Sequence, residues 1–125
     1  MLRFVLPLTI ALVAAPVSAQ DSITVELSNF HFTPSALTLH HGQAYTLHIV
    51  NTASGGHDFV APEFFAASQI APADRAKVAG GKVDVGGGEA VDIHFTAPAH
   101  AATYKLKCSH FLHASFGMTG SITVD

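Results

Sequence analysis

The chain has 125 residues, 49% of them apolar and 12% charged, which suits one domain with one core and excludes wholesale disorder. Six Lys and Arg against nine Asp and Glu exclude a basic nucleic-acid surface. A single Cys excludes an internal disulfide framework and any multi-cysteine zinc or iron–sulfur site, while nine His in so short a chain point toward a metal.

In chain order, Arg3 supplies a short positive region, Phe4 to Ala15 is apolar apart from Thr9 and Pro7, and Val17-Ser18-Ala19 ends in small residues. This pattern predicts a secretory signal peptide over residues 1–19, cleaved after Ala19, with one domain over 20–125. A membrane anchor is the rival reading. The apolar stretch falls short of the roughly 20 residues a span requires and contains Pro7, with Pro16 just beyond it. The expected protein is exported to the periplasm, without a membrane span in the mature chain. A lone Cys in an oxidising compartment is a liability unless it is buried or ligated.

Ser22 to Ser28 alternates Ile23, Val25 and Leu27 with Thr24 and Glu26, the pattern of a half-buried strand. Ala36 to His40 and Ala44 to Val50 predict two more, joined by a turn at His41-Gly42-Gln43. A strand is expected over Asp58 to Ala61. From Pro62 to about Lys77, residues Phe64, Phe65, Ala66, Ala67 and Ile70 suit one or two helical turns, interrupted by Pro72. Val83 and Val85 mark a strand ended by Gly86-Gly87-Gly88, a turn that lacks the Lys-Ser/Thr of a phosphate loop. Val91, Ile93 and Phe95 alternate with Asp92, His94 and Thr96. Tyr104 and Leu106 lead to Cys108, and Ile122 and Val124 close the chain. Seven or eight short strands predict an all-β, Greek-key β-sandwich with a short helical excursion around 62–77.

The chemistry concentrates between Tyr104 and Val124. A strand delivers Cys108, a loop presents His113 five residues later, and Met118 ends the loop five residues after that. Thiolate, imidazole and thioether together suit copper, because soft sulfur favours Cu(I) and nitrogen tolerates both oxidation states. His57, after Gly55-Gly56 at the start of a strand, is the natural second imidazole. Two His and one Cys in a plane with a distant axial Met is the blue-copper arrangement. Taken singly, Cys108 fits an inert buried thiol, Met118 a core residue and His57 a loop imidazole. At this spacing the coincidence of all four favours the metal. His110, at Cys+2, is a rival to His113 with little chain in which to turn back. Zinc held by Cys108, His110 and His113 is a further alternative without a convincing fourth ligand.

Asn29-Phe30-His31-Phe32-Thr33-Pro34, then Leu37, Gly42, Asn51 and His57-Asp58-Phe59, then the Cys108/His113/Met118 loop, make the chain resemble a small type 1 copper cupredoxin of the plastocyanin, azurin and pseudoazurin kind. The resemblance implies His57, Cys108 and His113 as equatorial ligands of one copper ion and Met118 as the axial one. The Cys-to-His spacing is that of azurins and the His-to-Met spacing that of plastocyanins. Asp58 is a departure, since many cupredoxins carry Asn there. Ionised Asp only accepts hydrogen bonds, and Ser109 is the expected donor across the two ligand segments. Gly56 is expected to let backbone approach the metal.

The resemblance implies an electron carrier rather than an enzyme, since four protein ligands leave no open position for substrate. The copper would cycle between Cu(I) and Cu(II), with a transient redox protein as partner and a monomer as the working form. Electrons would leave through His113, rimmed by Phe111, Leu112, Ala114 and Phe116 as a docking patch. The alternative function is a periplasmic copper-binding or delivery protein for copper homeostasis or oxidase assembly. Of the remaining histidines, His48 and His94 should face outward, and His40-His41 offers a weak second metal site on a turn.

Overall fold

The computed structural model describes residues 10–11, 20–110 and 113–125. The expected signal peptide and its cleavage point, and Phe111 and Leu112, lie outside these. Ten strands form two five-stranded sheets. They are β1 (Asp21–Ser28), β2 (His31–Thr33), β3 (Ala36–Leu39), β4 (Ala44–Asn51), β5 (His57–Val60), β6 (Gln69–Ile70), β7 (Lys82–Val85), β8 (Ala90–Thr96), β9 (Ala102–Lys107) and β10 (Thr119–Val124). One sheet runs β2-β1-β4-β8-β6 and the other β3-β10-β9-β5-β7. Neighbours are antiparallel except β1 with β4 and β3 with β10. Those parallel pairs arise because the chain crosses to the second sheet at β3 and returns at β4, the crossover of a Greek-key sandwich.

Period-two alternation places the core. Val25, Leu27, Leu47, Ile49, Ile93, Phe95, Leu106, Ile122 and Val124 are buried between the sheets, and Ile23 and Val91 pack at its margin. The outer face carries the other phase: His48 pairs with Asp92 at 2.5 Å and His94 with Asp74 at 2.7 Å. His48 and His94 therefore face outward, as their strand phase predicts. At the turn 41–43, Gly42 has φ of 68°, a conformation that favours a residue without Cβ. The adjacent imidazoles are both engaged by the last residue, His40 with the Asp125 carboxylate at 2.8 Å and His41 with the Asp125 carbonyl at 2.7 Å.

The excursion between β5 and β7 is longer and more composite than its sequence suggests. Pro62 opens helix α1 (Pro62–Ala67), where the missing N–H costs nothing. Its Phe64 and Phe65 are buried against Phe95, Tyr104 and Phe59. The two-residue β6 then pairs with β8, and a 3₁₀ segment, Pro72–Gly81, follows. Asp74 pins that segment: its carboxylate accepts from the His94 backbone N–H at 2.8 Å and faces the Lys77 ammonium at 2.7 Å. The Lys77 and His94 bonds hold this carboxyl well below the ordinary carboxylate range. β2 and β6 are the two strands that alternation does not reveal, because three- and two-residue segments carry too little pattern.

Candidate metal centre

Each of the four expected ligands sits at a place where regular structure hands over to a loop. His57 is the first residue of β5, Cys108 directly follows β9, and Met118 directly precedes β10. His113 lies between them, just before a 3₁₀ turn over Ala114–Phe116. The structure brings three donor atoms together. His57 Nδ1 and His113 Nδ1 are 3.1 Å apart, and Cys108 Sγ is 3.8 Å from the first and 3.4 Å from the second. Metal bonds of about 2.0–2.3 Å to imidazole nitrogen and thiolate sulfur fit a triangle of this size. Cys108 and Met118 are fully buried, His57 is 1% exposed, and His113 is partly exposed. His113 is thus the accessible member of the set.

Backbone bonds set this geometry. The Cys108 N–H donates to the Met118 carbonyl at 3.1 Å and closes the base of the loop. Within it, the Met118 N–H donates to the His113 carbonyl at 3.0 Å, and the His113 N–H to the His110 carbonyl at 3.0 Å. Upstream, buried Asn51 organises the approach to His57. Its amide donates to the carbonyls of Gly55 and Val85, both at 2.9 Å, while its side-chain oxygen accepts from the Ala53 N–H at 2.9 Å. Gly87 packs directly on the Ser54 carbonyl, where a Cβ would collide.

Asp58 ties the two ligand segments together. Its carboxylate accepts from the Ser109 N–H at 2.6 Å and, through its other oxygen, from the Ser109 hydroxyl. The expected contact is present, and the backbone bond makes it two-pronged. Burial would raise this carboxyl, but the Ser109 bonds outweigh it and the group stays below its ordinary range. Burial lowers His57, assisted by the neighbouring His113 and His110, and burial raises the Cys108 thiol. Low proton affinity on the imidazole keeps a nitrogen lone pair free for a cation. The raised thiol is the signature of a buried sulfur that needs a positive partner to be held as thiolate. His57 Nε2, in contrast, is buried without a hydrogen-bond partner. The donor set fits a soft-to-borderline metal.

His110 stands outside the triangle. Its ring stacks on His113, with centroids 5.4 Å apart and planes at 23°. Gly56 lies beneath that ring, and a Cβ there would come to 3.4 Å from His110 Cε1. On the outer side, Phe116 is 61% exposed. Phe30 is a neighbour that strand patterning misses. It is 37% exposed, meets the His113 ring edge-on at 5.2 Å and touches Phe116 at 5.1 Å. Its φ of 65° is the one positive value among described non-glycine residues, a conformation uncommon for an aromatic. The visible signal was an apolar residue at the Asn29-Phe30 turn, where alternation stops.

The sequence matches the family of copper binding proteins, plastocyanin/azurin family, over residues 19–125. Among curated protein sequences none matches the chain. Among solved structures, the fold is similar to reduced auracyanin from the photosynthetic bacterium Roseiflexus castenholzii. The two share 25% identity with a TM-score of 0.64 over 86% of this chain and 99% of that one. Auracyanin A, a "blue" copper protein from Chloroflexus aurantiacus, is similar at 22% identity and TM-score 0.57, covering 83% and 99%. The McoA multicopper oxidase from Aquifex aeolicus shares the fold at 14% identity and TM-score 0.66, with 89% of this chain covering 31% of the oxidase.

Proposed function

The chain belongs to the plastocyanin/azurin family of copper-binding proteins, and on that premise we propose that it is an exported type 1 copper protein that passes single electrons between redox partners. The observation that carries this reading is the convergence of His57 Nδ1, Cys108 Sγ and His113 Nδ1 with only His113 reaching the surface. These three residues would hold the ion, and Met118, buried at the base of the same loop, would complete the ligand set. Bound copper supplies a one-electron couple.

The residues around it would hold the donors in one arrangement for both states. The Cys108–Met118 backbone bond closes the ligand loop, the Asp58–Ser109 bridge ties that loop to the His57 segment, and the Asn51 bond to Val85 holds the His57 segment against β7. A site that barely rearranges exchanges electrons without a large reorganisation cost. His113 would be the electron's exit. Phe116 and Phe30 form an apolar rim beside its ring, and the docking patch expected from the sequence would add Phe111, Leu112 and Ala114 to it. A transient redox protein would dock there by burying apolar surface. The auracyanin likeness, with its "blue" copper relative, supports the same reading. Four protein ligands leave no open position for substrate, so the protein is read as a carrier and not an enzyme. Residues 1–19 would act as the signal peptide, cleaved after Ala19, and place a monomeric domain in the periplasm. Among the described residues no helix is long and apolar enough to cross a membrane.

Copper loading of the chain from Gln20 onward, followed by visible absorption and EPR, tests the assignment. The expected result is a strong visible band from the thiolate that disappears in Cys108→Ala. Stoichiometric copper with the same band in Cys108→Ala would contradict it.

A further inference from the structure

A second group of donors lies beside the copper centre, and electron transfer uses only one of its members. Asp58 and Asp84 face each other directly across the β5–β7 pair. His110 joins them, and one donor atom from each of the three lies within 4.8 Å of the other two. Like charges directly opposite in an antiparallel pair repel. Here one carboxylate is buried and the other exposed, so the repulsion is not fully relieved by solvent. Lys82 reaches Asp84 at 3.7 Å on the exposed flank. Among the described residues no lysine or arginine salt bridge reaches Asp58.

The three donors are positioned and still have capacity. Ser109 donates one bond to each Asp58 oxygen, and a carboxylate offers about four lone-pair sites. The His110 ring is seated between His113, on which it stacks, and Gly56, whose lack of a side chain leaves room for it. Asp84 is open to solvent and gives an ion a way in.

We propose that Asp58, Asp84 and His110 form a second, weaker cation site that takes a borderline divalent ion, with zinc as its probe. Two carboxylate oxygens and one imidazole nitrogen are donors that zinc accepts, with remaining positions filled by water. The absence of a thiolate separates this site from the soft copper centre. Because Asp58 adjoins His57 in sequence, a cation on its carboxylate offsets negative charge beside the copper. Occupancy therefore favours Cu(I) and raises the reduction potential.

The test is a zinc chloride titration of the copper-loaded protein, followed by calorimetry, visible absorption and voltammetry. One further zinc should bind per chain with the visible band retained, and the midpoint potential should rise with occupancy. Asp84→Asn and, separately, His110→Gln should weaken zinc binding by at least about tenfold, as expected for loss of a supporting donor, and abolish the potential shift. Equal zinc affinity in wild type and Asp84→Asn, no zinc binding at all, or displacement of copper by zinc would each overturn the proposal. Failure of the visible band to form is a separate result that counts against the copper reading. In metal-free protein the Cys108 centre can itself take a zinc, so there the Asp84→Asn comparison is read on a Cys108→Ala background, where loss of zinc binding supports the second site and equal binding overturns it.

Discussion

Residues 51–58 reach the copper centre as a segment braced from outside, whereas residues 108–118 reach it as a loop braced on itself. The first is held by Asn51, by Gly87 against Ser54 and by the β5–β7 pairing. The second is held by its own backbone bonds, Cys108 to Met118 and Met118 to His113. One Asp58–Ser109 bridge joins them. A deep imidazole on a strand and a partly exposed imidazole on a loop are different tools. His57 is fixed and sealed, while His113 keeps the same metal-facing atom yet lies where a partner can touch it.

Breaking the outer bracing should do more damage than breaking the bridge. Asn51→Ala leaves the Gly55 and Val85 carbonyls and the Ala53 N–H without their partner, which should cost about 2–3 kcal/mol of stability. It should also broaden the visible band as His57 loses its fixed approach. Chemical denaturation and absorption of the copper-loaded variant check both, and an unaltered denaturation midpoint would show that the loop holds itself. Asp74→Asn, far from the centre, should cost about 1–3 kcal/mol at neutral pH through the buried acceptor it weakens, with the visible band unchanged. The folded Asp74 carboxyl titrates below its ordinary value, so its contribution is complete above the ordinary carboxylate range of about 4 and is lost as pH falls below it. The gap between wild type and Asp74→Asn should therefore narrow in acid.

The bridge is gentler to break. Asp58→Asn keeps one acceptor for the Ser109 N–H and exchanges the other for a donor that the Ser109 hydroxyl can accept. Stability should fall by about 1 kcal/mol or less, while the midpoint potential rises because a negative charge beside Cu(II) is removed. Voltammetry showing an unchanged or lower potential would remove Asp58 from the tuning of the centre. The smallest effect on the site itself belongs to its exposed side. Phe116→Lys should leave the visible band intact and slow electron exchange with a docking partner by roughly tenfold, the equivalent of 1.4 kcal/mol spent desolvating a charge. Stopped-flow exchange at the wild-type rate would place the exit on another face.

The sandwich was legible because its long strands alternate: Val25 and Leu27, Leu47 and Ile49, Ile93 and Phe95 each announce an inward face. The donor set was legible for a different reason, since Cys108, His113 and Met118 share one short loop and their chemistry has few other uses together. What stayed hidden depends on contacts between segments distant in the chain. Asp84 acquires meaning only because β7 pairs with β5 in a register that sets it opposite Asp58. Phe30 acquires meaning only because its turn folds over His113. His110 could be read from spacing alone as a rival ligand; the structure instead stacks it on His113 and points to a separate role.

Reversible cycling in the presence of a competing Cu(I) chelator tests the carrier reading most directly. Copper-loaded protein should be reduced and reoxidised repeatedly, with the visible band bleaching and returning to its original intensity while the chelator stays free. Transfer of the copper to the chelator on first reduction, with no return of the band, would contradict an electron carrier and favour copper delivery.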